Sequence, residues 1–253
     1  MTERFNPFTL EGKTIMVTGA SSGIGRAVAI MCSRMGARIV ATGRNAERLE
    51  ETLAMMEGDD HIMLRSDLTV ADDIAHLSEA CPMLNGIVHS AGVMSRRLSR
   101  QIEQEDIEEV MRPNFEAPVL LQKEILKNKK LHPGGSVVFI ASRAASAPSV
   151  GNGIYAASKG ALISYSKVLA LELSGKKIRV NCICPGMVWT DLIRRDSEQA
   201  GADYTGAQNE YPLKRFGEPD DVAALAVYLL SDASGWMTGS IIDLTGGGEL
   251  LLK

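Results

Sequence analysis

Lys13-Thr14-Ile15-Met16-Val17-Thr18-Gly19-Ala20-Ser21-Ser22-Gly23-Ile24-Gly25 carries a short apolar run straight into a turn rich in glycine and other small residues. Beyond Gly25 the apolar residues Ala27, Val28, Ile30 and Met31 recur at helical spacing as far as Arg34, and Gly36 stops the run. The pattern predicts a strand, a glycine turn and a helix. Glycines let backbone approach a pyrophosphate closely, and the first amides of the helix are presented to it. The spacing is Gly-x-x-x-Gly-x-Gly rather than the commoner Gly-x-Gly-x-x-Gly, so a merely tight connection is the competing explanation.

The same alternation continues along the chain. Strands are predicted over Ala37–Thr42, His61–Asp67, Gly86–Ser90, Ser136–Ser142, Ile178–Cys184 and Gly239–Leu244. Between them, helical periodicity covers Asn45–Met56, a stretch after Thr69 and Asp72 (spaced as a helix cap), Glu103–Leu131, Tyr155–Ser174 and Asp220–Leu230. Strands alternating with helices imply an α/β fold: a doubly wound, mostly parallel Rossmann sheet of about seven strands, helices on both faces, in one domain spanning 1–253. Residues 187–215, polar and weakly periodic from Asp191 onward, are expected to form a substrate lid.

In such a sheet ligands bind at the carboxyl ends of the strands, and the residues there carry the chemistry. The second strand ends in Gly43-Arg44-Asn45, with an arginine where an acid would bind a ribose hydroxyl. Arg44 suits a 2'-phosphate, so NADP(H) is expected over NAD(H), unless Arg44 only begins the next helix at the surface. Asp67-Leu68 closes the third strand, where Asp67 either meets an adenine edge or orders its loop. The fourth strand leads into a small-residue turn at Ser90-Ala91-Gly92, where a bulky side chain would collide with a ligand lying across the sheet edge. Pro118 has no amide hydrogen for the carbonyl of Asn114, which leaves that carbonyl to hold a water or another donor, or marks a simple kink. Ser142 ends the fifth strand. Tyr155 and Lys159 stand four apart at the start of a helix, on one face, where a cation would lower a phenol pKa that is otherwise near ~10.

The chain has 253 residues, 45% of them hydrophobic, and a formal net charge of -4 with mixed signs, which argues against nucleic acid or an anionic membrane as principal partner. No apolar run reaches the ~18 residues of a membrane span, and Met1 to Pro7 lacks the plan of a signal peptide, so a cytoplasmic location is expected. Cys32, Cys81, Cys182 and Cys184 read as structural thiols, the last two sharing one strand face, and no histidine is spaced with them as a metal ligand. The Tyr155–Ser174 helix is apolar on more than one face, which points to a partner subunit.

Taken in order, Thr18-Gly19-x-x-x-Gly23-Ile24-Gly25, Asn114, Ser142, Tyr155-x-x-x-Lys159, and Pro185-Gly186 with Thr190 resemble the short-chain dehydrogenase/reductase family nearly end to end. The resemblance implies a cofactor site built from Gly19, Ser21, Ser22, Gly23, Ile24, Gly25, Arg44, Asp67, Leu68, Ser90, Ala91, Gly92, Tyr155, Lys159, Pro185, Gly186, Val188 and Thr190. It implies that Tyr155 protonates a carbonyl oxygen that Ser142 holds. Lys159 would lower the Tyr155 pKa and grip the nicotinamide ribose, and Asn114 would hold a relay water. Pro212 to Pro219 and Thr238 to Gly247 are most similar to 3-oxoacyl-(acyl-carrier-protein) reductases, with sugar, polyol and steroid dehydrogenases as alternatives. A small-molecule or acyl-carrier-bound carbonyl substrate and a homotetramer are therefore expected. Lys176 and Lys177 would suit an acidic carrier, whereas Pro133 stands where a second cation would be expected. The family's usual Asn-Asn-Ala-Gly reads His89-Ser90-Ala91-Gly92 here, which admits a non-catalytic dinucleotide sensor or scaffold. Arg143, next to Ser142, faces either an acidic substrate or solvent.

Overall fold

Alternate residues of each central strand go to opposite sides of one sheet, and this divides the interior in two. In β1 (Thr14–Thr18), Ile15 and Val17 join one apolar cluster while Met16 joins the other. The same division recurs in β2 (Arg38–Gly43), with Ile39 and Ala41 opposed to Val40. A strand buried on both faces reads as a continuous apolar run, as the quoted stretch does. The computed structural model describes residues 6–191, 193, 194, 197 and 204–248.

The remaining strands are β3 (Ile62–Arg65), β4 (Leu84–His89), β5 (Leu131–Ile140), β6 (Arg179–Pro185) and β7 (Ile241–Leu244). They form a seven-stranded sheet in the order β3-β2-β1-β4-β5-β6-β7, and every pair is parallel. The chain winds outward one way from β1 to β3 and the other way from β4 to β7, so the crevice lies between β1 and β4. On one face pack α1 (Gly23–Arg34) and α8 (Pro219–Leu230), with Val28, Val222 and Ala226 fully buried. On the other face lie α3 (Ala71–Ala80), α5 (Ala117–Lys127) and α6 (Gly153–Leu173), around Phe139, Leu121 and Leu162. Two short helices, α2 (Ala46–Ala54) and α4 (Gln104–Met111), complete the windings, and α7 (Tyr204–Ala207) is a single turn.

The helix expected over Glu103–Leu131 is three pieces: α4, a π-helical turn over Arg112–Glu116, and α5. In the π turn the Ala117 amide donates to the Arg112 carbonyl, five residues back, just before Pro118 interrupts the ladder. The helix stops at Lys127 because Lys129 turns left-handed (φ 55°), and Leu131 opens β5, five residues before the expected start. The cap expected from Thr69 and Asp72 is also absent. Val70 occupies the N-cap of α3 without a side-chain bond, and Thr69 instead binds Asp67.

The expected lid over 187–215 lies in part outside the described residues. Within them, Val188 bridges to Gly217, and Trp189, Tyr204 and Tyr211 pack their rings around Phe216. All four cysteines are free and buried, with Cys182 and Cys184 in the α6-side cluster. Among the described residues no helix is long and apolar enough to cross a membrane.

Candidate active site

The glycine turn is held by close backbone approach. Gly19 has φ 68°, and a Cβ there would lie 2.9 Å from the Ala91 Cα, so the turn after β1 rests directly on the turn after β4. Thr18 ties the same two turns together: its buried Oγ1 accepts from the amides of Ser90 (3.0 Å) and Ala91 (3.1 Å). Ser22 caps α1 in an extended conformation without using its side chain, leaving the first amides of that helix at the crevice.

A single cleft runs along the carboxyl ends of the strands. At one end stand Arg44, Asp67 and Leu68; Gly19 and Ser21 to Gly25 floor its middle, facing Ser90, Ala91 and Gly92. At the other end stand Ser142, Tyr155 and Lys159, under Pro185, Gly186, Val188 and Thr190. Of the residues expected to be catalytic or to hold the cofactor, Asn114 alone stands behind this lining. Val93, Met94, Pro113, Asp191 and Ile193 also border the cleft, though no motif marks them.

Asn114 is fully buried and works as a brace. Its Nδ2 donates to the Val93 carbonyl (2.9 Å) and to Ser158 Oγ (3.0 Å), and its Oδ1 accepts from the Val93 amide (2.8 Å). The loop after β4 is thereby fastened to α6, one residue from Lys159. Gly92 completes the contact: a Cβ there would lie 3.0 Å from Asn114 Oδ1 and 3.4 Å from Lys159 Nζ.

The expectation that Lys159 lowers the Tyr155 pKa meets a different balance. Burial pushes the phenol upward, against a hydrogen bond with Ser142 that lowers it, and the net direction is up. Lys159 Nζ lies 5.8 Å from the tyrosine ring centroid and donates to the Ile140 carbonyl (3.1 Å). Burial brings the ammonium down to about 8, opposed by the neighbouring thiols of Cys182 and Cys184. Burial outweighs the Ser142 hydrogen bond, and the Lys159 ammonium is turned to a backbone carbonyl instead of the phenol oxygen.

Ser90, one departure from the family pattern, lines the cleft, whereas His89 and Arg143 fall away from it. His89 points to the α5 side of the sheet, stacked on Phe139 at 4.7 Å with its Nε2 3.1 Å from Gln122 Oε1. Burial lowers its pKa to about 4, so it is neutral. Arg143 turns toward β7, its Nε 3.9 Å from Asp243 and its Nη1 donating to Ser146. The Arg44 side chain, by contrast, borders the cleft with no hydrogen bond or ion pair among the described residues.

A small-residue floor, open helix amides and an uncommitted arginine suit a dinucleotide phosphate. The family model described as enoyl-(acyl carrier protein) reductase matches residues 19–249. The chain is 30% identical to a 3-oxoacyl-(acyl-carrier-protein) reductase of Rickettsia felis, over 94% of this chain and 97% of that one. It is 34% identical to a D-threitol dehydrogenase of Mycolicibacterium smegmatis, over 95% and 94%. A solved structure from Beutenbergia cavernae, provisionally described as an NAD(P)-dependent gluconate 5-dehydrogenase with NADP bound at low occupancy, superposes with a TM-score of 0.85. It is 30% identical, over 97% of this chain and 100% of that one.

Proposed function

We propose a function from one premise: the chain belongs to the short-chain dehydrogenase/reductase family, NAD(P)-binding oxidoreductases acting between CH–OH and carbonyl groups. The reaction is reduction of a ketone to a secondary alcohol with NADPH. What carries this is the pairing of the Ser142 and Tyr155 hydroxyls at the far end of a cleft that begins at the glycine turn. When bound, the dinucleotide supplies the hydride. The residues of the chain do the rest. Ser142 holds the carbonyl oxygen, and Tyr155 gives that oxygen its proton as charge develops on it. Lys159 steadies the phenol and the nicotinamide ribose, and Asn114 keeps the loop and α6 in register behind them. Val188 and Thr190 would hold the carboxamide, and Arg44 the 2'-phosphate.

Two hydroxyls converging on one oxygen suit a carbonyl better than a carbon–carbon double bond, which favours ketone over enoyl reduction. Within the ketones, a 3-oxoacyl group on an acyl carrier is the first candidate, supported by the Rickettsia felis relative. Sugars and polyols are the second, supported by the threitol and gluconate dehydrogenases. A cytoplasmic homotetramer is the expected form, since Val168 and Leu171 on α6 are 53% and 77% exposed.

Loss of NADPH absorbance with 3-oxoacyl thioesters and a panel of keto sugars tests the reaction. Turnover should fall by at least ~10²-fold in Tyr155→Phe. A protein that reduces no carbonyl, or a Tyr155→Phe variant as fast as the parent, would leave a dinucleotide sensor or scaffold as the better account.

A further inference from the structure

Where β2 and β3 end side by side, two arginines converge, and neither side chain makes an ion pair among the described residues. Gly43 and Arg65 are partners in the parallel register, and the Ser66 amide donates to the Gly43 carbonyl at 3.1 Å. From that position the Arg65 side chain reaches across the end of β2, and its Nε donates to the Arg44 carbonyl at 3.0 Å. This uses the inner nitrogen. The two terminal nitrogens make no hydrogen bond or ion pair among the described residues, and both Arg44 and Arg65 border a small cleft with Asp67 and Asp73.

Several other arginines are paired, for example Arg26 with Glu51, Arg97 with Asp106 and Arg215 with Asp221. The two carboxylates in the cleft are engaged first by their own loop, although the Arg44 charge adds to the Thr69 hydrogen bonds that hold Asp67, against burial, below the usual carboxylate range. Asp67 Oδ1 accepts from the Thr69 amide (3.0 Å) and hydroxyl (2.7 Å), and Asp73 Oδ2 accepts from the Asp67 amide (2.7 Å). One oxygen of each is used in shaping the loop after β3. Two guanidinium groups are thus left facing one opening, at the end of the main cleft farthest from Tyr155, where Arg44 and Asp67 line both spaces.

We propose that Arg65 and Arg44 form a two-armed site for the phosphate monoester on the 2'-position of the adenosine ribose, with Arg65 as a cofactor-specificity residue. This rests on the NADPH assignment above and extends it to a residue that no glycine motif or strand-end rule marks. Arg65 is the better prepared of the two arms. Its Nε bond fixes the plane of the guanidinium before the phosphate arrives, so little side-chain freedom remains to be lost on binding. Arg44, with no anchor of its own, closes onto the phosphate from the other side.

Calorimetric titration with adenosine 2',5'-bisphosphate and adenosine 5'-monophosphate, which differ only in the 2'-phosphate, isolates this site from catalysis. In Arg65→Gln the bisphosphate should bind about tenfold more weakly, as expected for one lost charged contact, with the monophosphate unchanged within about twofold. Retained monophosphate binding also reports an intact fold. Arg65→Gln weakening both ligands alike, or neither, overturns the role of Arg65 while leaving a parent protein that still prefers the bisphosphate. A parent protein that binds the two ligands equally overturns this site and the NADPH preference together.

Discussion

Replacing Thr18 by valine removes one oxygen and almost no volume, yet that oxygen is the acceptor for two amides, those of Ser90 and Ala91, at 3.0 and 3.1 Å. Leaving a buried donor without its partner costs roughly 1–3 kcal/mol. Both amides border the cleft, where water can reach, so the low end applies to each and the sum is about 2 kcal/mol. In a domain of this size that corresponds to a fall in melting temperature of about 4–8 °C. The effect on ligand binding follows from geometry. Gly19 and Ala91 are in backbone contact, so releasing the Ser90–Gly92 turn loosens one wall of the dinucleotide cleft. Urea unfolding and calorimetric NADPH titration of Thr18→Val and Thr18→Ser measure the two consequences. Serine keeps the acceptor and should retain most of the stability and affinity. The reasoning is refuted if valine is as stable as the parent within about 0.5 kcal/mol, or if serine is as damaging as valine.

Three further outcomes are expected. Lys159 titrates at about 8 in the fold against 10.5 in the unfolded chain, so between those values the unfolded state binds more protons and stability rises with pH; urea titrations across that window should show this rise in the parent and lack it in Lys159→Met. His89 is depressed to about 4 from 6.5, so it contributes a loss of stability as pH falls from 6.5 toward 4, and His89→Asn should flatten the acid limb of the same measurement. Leu171→Glu places a charge on the exposed apolar face of α6 and should lower the assembly state in light scattering at micromolar concentration while leaving the far-ultraviolet spectrum unchanged.

The strands and the order of the site were legible because two periodicities are written plainly. Ile15, Met16 and Val17 form an unbroken apolar run, bounded by a glycine turn, that suits a strand covered on both faces. Tyr155 and Lys159 lie on one helix face whatever surrounds them. The side on which His89 points was available from the same rule, since it follows Ile87 by two residues on β4 and shares its α5-side cluster neighbours. Other features depend on tertiary context. Lys129 ends a helix in a left-handed conformation that glycine, not lysine, would signal, and so the start of β5 was misplaced. The part taken by Arg65 depends on β3 lying beside β2 in a register that sets Arg65 opposite Gly43, and a single strand does not encode its neighbour.

The electrostatics around Tyr155 bear on direction as well as rate. A general acid must be protonated before it acts, and burial keeps this phenol protonated well past neutral pH. Oxidation of the alcohol needs the phenolate instead, which the same burial opposes until a cation moves within reach of the oxygen. Lys159 is available for that, but its proton is loosened to a pKa of about 8 while it rests on the Ile140 carbonyl. The reductive rate should therefore be flat through neutral pH, and the oxidative rate should climb with pH above neutrality. Parallel pH profiles of kcat in the two directions decide the matter: an oxidative profile already level at pH 7 would mean that the lysine outweighs desolvation at this tyrosine.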